Sequence, residues 1–270
     1  KDLFRYSFPV ILISVLHTVP WIILNSNEEA VISRAERLAE TPWWTEHAKA
    51  NYHDELAVYY FEKNNKEKAY EHFKLAYQNQ GSERLLFSYA GAAYKTNRLQ
   101  EAAELYQKLL PTGYSEQQVN NFLAEIYFNM DSLAQSEKYF KNVIMMNPQK
   151  TNAFFNLGVI NNELGDYDES IQYFERAIKL DPAREDAWIY LGVLHFSMGN
   201  YSRALEIFQK VLEFRPRDPK VFYNLASIHS SMGNYRQALE LIQKASEMNI
   251  LDNDLRQLNE NILRTMEDAR

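Results

Sequence analysis

Two histidines, His195 and His229, are the clearest candidates for metal ligands in this chain, because they lie 34 residues apart in equivalent surroundings. Imidazole nitrogens bind zinc, but a zinc site takes three or four protein ligands, and no third histidine or carboxylate recurs at matching spacing. His47, His53 and His72 form no recognisable ligand pattern. We therefore expect packed or hydrogen-bonded histidines, with no metal and no cofactor.

Catalytic motifs are missing from the sequence. There is no His-Glu-x-x-His, no Gly-x-Ser-x-Gly and no glycine-rich phosphate loop. Acidic residues are abundant but scattered, so no pair stands out as acid and base. The chain has no cysteine, which excludes disulfides, cysteine-bound zinc and thiol catalysis. The sequence predicts a protein that is not an enzyme and takes no small-molecule substrate.

Charge argues against one class of partner. The net charge is −7, from 29 basic and 36 acidic residues, and no stripe of lysine and arginine runs along the chain. Nucleic-acid-binding proteins carry such a basic footprint, so we expect no nucleic acid as a partner.

The residues named above lie in segments that repeat. The pattern NAFFNLGVINNELGDYDESIQYFERAIKLDP at residues 152–182 recurs at residues 186–216 and 220–250, and upstream at 118–148. A fixed period of this size is typical of stacked-repeat proteins, in which each repeat packs only on its neighbours.

Three kinds of position are constrained in every copy. Small residues are needed where two helices cross, and they stand at Ala57, Ala90, Ala124, Gly158, Gly192 and Ala226, then at Ala69, Ala102, Ser136, Ser170, Ala204 and Ala238. The turn between the helices needs a left-handed residue and holds Asn64, Asn97, Asp131, Gly165, Gly199 and Gly233. A large side chain fills the second helix, at Phe73, Tyr106, Phe140, Phe174, Phe208 and Ile242.

This pattern resembles the tetratricopeptide repeat, and the resemblance covers about three quarters of the chain. It implies an all-α fold, a right-handed α-solenoid of stacked helix-turn-helix repeats, here preceded by an N-terminal hydrophobic helix. We expect six repeats, at residues 50–82, 83–116, 117–150, 151–184, 185–218 and 219–250.

The segment Tyr6–Leu24 predicts a transmembrane helix within residues 1–26. It has nineteen residues without Asp, Glu, Lys or Arg, which matches the length of a membrane-spanning helix. Two alternatives stay open: a signal peptide, although no small-x-small cleavage site follows, and an apolar arm that packs on the repeats of a soluble protein.

The flanks of this segment predict its orientation and the ends of the repeat array. Lys1 and Arg5 precede it and acidic residues follow, which favours repeats outside the cytoplasm, in a periplasmic or lumenal space. Residues 27–49 predict connecting or capping helices, the second of them opened by Trp43 and Trp44. Residues 251–270 predict a C-terminal capping helix, which a solenoid needs to cover its last repeat.

The resemblance also implies a binding surface, because the first helices of tetratricopeptide repeats line a concave groove. Aromatic and carboxamide side chains fill the implied groove positions, and the chemistry suits an extended peptide or a partner helix. The residues expected to bind a peptide or protein partner are Asn121, Phe122, Phe128, Asn152, Phe155, Asn156, Tyr190, Phe196, Tyr223 and Asn224.

Three functions remain open from the sequence. The first is a membrane-anchored scaffold that recruits a protein partner. The second is the non-catalytic C-terminal repeat region of a larger multi-span membrane enzyme, similar in layout to some membrane glycosyltransferases. The third is a soluble assembly factor whose hydrophobic arm docks on its own repeats.

Overall fold

The computed structural model describes residues 44–268, so the predicted transmembrane helix at Tyr6–Leu24 and most of the predicted connecting region lie outside the described residues. Within that range the chain forms thirteen α-helices and one short 3₁₀ helix (Leu110–Thr112), without any strand. In chain order the α-helices are α1 (Glu46–Glu62), α2 (Lys66–Asn79), α3 (Glu83–Lys95), α4 (Leu99–Leu109), α5 (Glu116–Asn129), α6 (Leu133–Met146), α7 (Thr151–Leu164), α8 (Tyr167–Leu180), α9 (Glu185–Ser197), α10 (Tyr201–Phe214), α11 (Pro219–Ser231), α12 (Tyr235–Glu247) and α13 (Asn253–Asp268).

The described part of the chain divides into two compact units, the first ending at Val119 (unit 1) and the second beginning at Asn120 (unit 2). In unit 1, α1 packs on α2, α2 on α3 and α3 on α4. In unit 2, each helix from α6 to α12 packs on the next, and α13 lies against α11 and α12. Since helices pack on their neighbours in order, each unit has the predicted all-α solenoid architecture.

The first helix begins earlier than the expected start of repeat one at residue 50. Thr45 caps α1 because its Oγ1 accepts a hydrogen bond of 3.2 Å from the Ala48 backbone N–H, and the helix begins at Glu46. Trp44 therefore precedes the helix instead of opening one, and its ring packs edge-on against Tyr52 at 5.6 Å between centroids.

The helix crossings confirm the predicted small residues, since all twelve are buried. At two crossings a serine replaces alanine and its hydroxyl is satisfied: Ser136 Oγ donates to the Ala124 carbonyl and Ser170 Oγ to the Gly158 carbonyl, both at 2.7 Å. Gly158 permits a close approach, because a Cβ there would lie 2.6 Å from Cε1 of Phe174.

The six predicted turn residues all adopt a left-handed backbone conformation. Their φ angles are 58° at Asn64, 60° at Asn97, 56° at Asp131, 84° at Gly165, 77° at Gly199 and 77° at Gly233. Asparagine, aspartate and glycine reach this region at the lowest cost, which explains why the sequence restricts the turns to these types.

The predicted large residues of the second helices are all buried: Phe73, Tyr106, Phe140, Phe174, Phe208 and Ile242. At the C-terminal end, α13 buries Leu255 and Ile262 against the last hairpin, and Leu258 and Met266 pack beside them. The apolar face of α13 therefore covers the last hairpin.

Candidate functional site

The ten predicted binding residues lie on the first helices of the hairpins in unit 2. Helix α5 carries Asn121, Phe122 and Phe128, α7 carries Asn152, Phe155 and Asn156, α9 carries Tyr190 and Phe196, and α11 carries Tyr223 and Asn224. Phe128, Tyr190 and Tyr223 are exposed, while Phe122, Phe155 and Phe196 are half-buried between helices. We call the exposed sides of α5, α7, α9 and α11 within unit 2 the first-helix face.

Three aromatic rings join α7, α8 and α9 at the middle of this face. The rings of Phe155 and Tyr190 meet edge-on with centroids 5.4 Å apart, and Tyr190 also stacks on the buried Phe174 at 5.6 Å. Phe155 lies 5.8 Å from Phe174. One side of the Tyr190 ring is thereby held by the core, while 43% of its surface stays exposed.

An arginine that the sequence pattern did not identify completes this cluster. Arg184 donates from Nε and Nη2 to the two carboxylate oxygens of Asp186, at 2.9 and 3.2 Å. Its guanidinium also lies 4.2 Å above the Phe155 ring and donates from Nη1 to Oδ1 of Asn152. The repeat pattern gives no reason to select Arg184, because it lies in the loop before α9. The sequence offers one indication of its role, the acidic Asp186 two residues later.

The asparagines of the face differ in how much hydrogen-bonding capacity they keep. Asn121 donates to Oε1 of Glu125 at 2.7 Å, and Asn224 donates to the Lys220 carbonyl at 2.8 Å. The side chain of Asn156 makes no hydrogen bond to any residue between 44 and 268, so its amide keeps both donor and acceptor capacity.

His195 lies on the turn side of unit 2, in a cleft of about 390 Å³ lined by Asn200, Tyr201, Ser202, Arg203 and Met232. Its side chain is buried, and burial and Arg203 lower its pKa, against an opposing effect of Glu175. Across residues 44–268 no three histidine or carboxylate side chains lie close enough to hold a metal ion.

In unit 1, two histidines that formed no pattern in the sequence lie in direct contact. The Nδ1 atoms of His53 on α1 and His72 on α2 are 3.0 Å apart, and the His72 ring stacks on Tyr60 at 5.3 Å. Burial, His53 and Lys68 lower the pKa of His72 to about 4, while burial and Lys49 lower the pKa of His53. Both rings are therefore neutral at pH 7, and one donates to the other.

A second polar cluster in unit 1 connects α2, α3 and α4. Tyr70 donates to both carboxylate oxygens of Glu101 at 2.9 Å, and Tyr89 donates to Oε1 of the same carboxylate. Burial, followed by hydrogen bonds to Glu101 and Tyr70, raises the pKa of Tyr89. Arg98 lies 4.2 Å from the centre of the Tyr70 ring. The cluster holds neighbouring helices together by charged hydrogen bonds.

Between residues 44 and 268, every helix is too short or too polar to cross a bilayer.

Comparison with known proteins places the repeats in a family. Models of the tetratricopeptide repeat match residues 123–185, 162–221 and 195–258, which together span just over half of the chain. No curated protein sequence matches significantly.

Several solved structures share the fold. A tetratricopeptide repeat protein from Parabacteroides merdae is 19% identical, with a TM-score of 0.63 over 81% of this chain and 87% of that chain. YrrB, described as a TPR protein with an unusual peptide-binding site, is 21% identical over 72% and 97%, with a TM-score of 0.59. MamA from Desulfovibrio magneticus is 17% identical over 62% and 96%, also with a TM-score of 0.59.

At these identities the structural likeness shows the fold alone. Together with the model matches and the six hairpins whose turns, crossings and buried side chains follow one register, it establishes that this chain belongs to the tetratricopeptide repeat proteins, a family whose fold serves protein interaction.

Proposed function

We propose that this protein is a membrane-anchored scaffold whose first-helix face binds an extended peptide or a helix of a partner protein. The observation that carries the proposal is the Phe155–Tyr190–Arg184 cluster, which holds an exposed tyrosine in place on the first-helix face. YrrB, a relative in fold, is described as having a peptide-binding site, and we extend that kind of ligand to this chain.

The residues of the face suit recognition of a peptide main chain. A carboxamide such as Asn156 donates to one peptide group and accepts from another, and Asn224 keeps its acceptor oxygen. Tyrosine adds a large contact area with little loss of side-chain entropy, especially when core packing already orders its ring, as Phe174 orders Tyr190. Binding of this kind uses no catalytic residue and no cofactor.

The test is a selection of displayed random peptides on the full chain, followed by calorimetric titration of the selected peptides. Tyr190→Ala is expected to weaken binding by about tenfold or more, because it removes the anchored aromatic surface. The double variant Asn156→Ala and Asn224→Ala is expected to weaken it as well, through lost main-chain hydrogen bonds.

Tyr167→Ala is the matched control, since Tyr167 begins α8 outside the first-helix face and is 44% exposed, close to the value for Tyr190. Thermal unfolding of each variant separates lost binding from lost folding. Peptides that bind the Tyr190 and asparagine variants as well as they bind the natural chain would contradict the proposal.

The membrane anchor in this proposal is the segment Tyr6–Leu24, which lies outside the described residues. It rests on nineteen uncharged residues, a length that matches the hydrocarbon core of a bilayer, with basic residues before it and acidic residues after it. The repeats would then lie outside the cytoplasm.

Alkaline carbonate washing of native membranes tests the anchor, and protease added to intact cells tests the orientation. We expect the chain to stay in the pellet and its repeats to be digested from outside. Release by carbonate would contradict the anchor, and protection from external protease would contradict the orientation.

A further inference from the structure

Val193 lies in an uncharged part of the first-helix face. Val193 is 44% exposed on α9, one turn beyond Tyr190. On a helix the side chains three and four residues away are the surface neighbours, and for Val193 these are Ile189, Tyr190, Phe196 and Ser197. No charge borders this position on its own helix.

The charged residues at the groove positions of this face are few, and half of them are engaged. Asp186 is neutralised by the two-point ion pair with Arg184, and Glu125 accepts the hydrogen bond from Asn121. Glu163 and Lys220 form no ion pair within residues 44–268, and each stands near the end of its helix. Around Tyr190 and Val193, therefore, exposed apolar surface is accompanied only by the mutually neutralised Arg184 and Asp186, and the other charged groove residues lie on other helices.

We infer that the segment bound by this face is itself uncharged and apolar at the residues that meet Tyr190 and Val193, a step that rests on the function proposed above. A charged side chain placed there would lose its hydration and meet no unpaired opposite charge, since Arg184 and Asp186 already neutralise each other, and this costs several times what an apolar contact gains. An apolar side chain instead removes the exposed surface of Tyr190 and Val193 from water, a stabilising change proportional to the area buried.

A pair of substitutions of opposite charge tests this inference. Both Val193→Asp and Val193→Lys are expected to weaken binding of the selected peptides by about tenfold, since either charge interrupts an apolar contact. A peptide that binds through charge would respond with opposite signs, gaining affinity with one variant and losing it with the other.

Val58 supplies the matched control. It occupies the equivalent position on α1 and is 46% exposed, but it lies in unit 1, outside the proposed site. Val58→Asp and Val58→Lys should leave peptide affinity unchanged.

The salt dependence of affinity is the second readout. We expect affinity for the selected peptides to change less than about twofold between low and high salt, because salt screens charge pairs and no charge pair contributes here. Light scattering at the same concentrations detects self-association, and a dimer that Val193→Asp dissolves would identify a second copy as the occupant and overturn the inference.

The two proposals fail in distinguishable ways. If no peptide depends on Tyr190, the proposed function itself is wrong. A different result would contradict only the inference that the bound segment is apolar. In that case peptide binding would depend on Tyr190, but the peptides would carry charges at the contact, bind less tightly in high salt and respond with opposite signs to the two Val193 variants.

Discussion

Units 1 and 2 build the same kind of helix hairpin from different side chains. Unit 1 packs tyrosine and histidine between its helices and ties them with polar contacts, the His53–His72 pair and the Glu101 carboxylate. In unit 2 the positions equivalent to His53 and His72 hold Phe154 and Tyr173 in one hairpin, with ring centroids 6.4 Å apart, and Trp188 and Ile207 in the next. The repeat register thus fixes size and place, while the choice between polar and apolar contacts is free.

The surfaces of the two units differ in the same sense. Val58 on α1 has Asp54, Glu55 and Glu62 among its neighbours three and four residues away, whereas the corresponding neighbours of Val193 on α9 are uncharged. Two valines of equal exposure therefore lie in opposite surroundings. The stability of unit 1 depends on two histidines that must stay neutral, and the surface around Val58 is charged. The stability of unit 2 depends on packed aromatic rings, and the surface around Val193 is uncharged.

The largest expected effect is at the core of unit 2. Phe174→Ala should lower the free energy of unfolding by about 3–5 kcal/mol, because a fully buried ring is removed and a cavity remains. It should also loosen Tyr190, which stacks on that ring. Hydrogen exchange read by mass spectrometry would show faster exchange in α7–α9 than in α1–α4. A loss under about 1 kcal/mol would contradict the dependence of unit 2 on this packing.

Acidification should act on unit 1. Because the folded pKa of His72 is lowered from 6.5 to about 4, its stabilising contribution is complete above pH 6.5 and is lost as the pH falls toward 4. The full loss from His72 is about 3 kcal/mol. Protonation of both rings would bring two imidazolium ions together beside Lys49 and Lys68.

Urea unfolding between pH 7 and pH 4, compared with His53→Phe/His72→Phe, measures this effect. The double variant should remove most of the pH dependence assigned to α1 and α2 by hydrogen exchange. His195 of unit 2, whose pKa is also lowered, should account for part of what remains. An unchanged pH profile in the double variant would contradict the role of the pair.

Removing the Glu101 side chain should lower the free energy of unfolding by less than removing Phe174, but by more than removing an exposed carboxylate. Glu101→Ala leaves the hydroxyls of Tyr70 and Tyr89 without their acceptor, for an expected loss of about 2–3 kcal/mol. Glu104→Ala, one turn later on α4, removes an exposed side chain bonded to Gln100 and should cost under about 0.5 kcal/mol. Equal losses from the two variants in chemical unfolding would contradict the network.

The smallest expected changes in stability are at the turns within the hairpins. Gly199→Ala in unit 2 should cost about 1–2 kcal/mol, because its φ of 77° disfavours any Cβ even though nothing lies within 4 Å of it. Asn97→Gly in unit 1 should change stability by under about 0.5 kcal/mol, since asparagine already tolerates this conformation at φ 60°. Thermal unfolding checks both, and a larger loss at Asn97 would reverse the expectation.

The sequence predicts the features that recur in every repeat, and it does not predict the features that occur only once. Crossings, turns and buried second-helix residues follow one register, so all were correctly placed. Asn249 also adopts a left-handed conformation, at φ 55°, but it follows α12 and precedes the capping helix, where no further repeat reveals it.

Contacts between different hairpins were the other omission. Arg184 reaches Asn152 from 32 residues away, and Tyr70 reaches Glu101 across 31 residues. His53 meets His72 within the first hairpin, 19 residues along the chain, through a pairing that the other hairpins do not share. Such contacts depend on which side chains happen to face each other after the helices stack, and no motif of fixed spacing records them.

Site-specific photocrosslinking in the natural host tests the central claim most directly. A benzoylphenylalanine residue is placed at position 190 in one chain and at position 167 in another, and the linked products are mapped by mass spectrometry. The account predicts a discrete crosslink from position 190 to one uncharged, apolar segment of a partner, and none to that segment from position 167. Equal crosslinking from both positions, or a partner reached only from position 167, would contradict binding at the first-helix face.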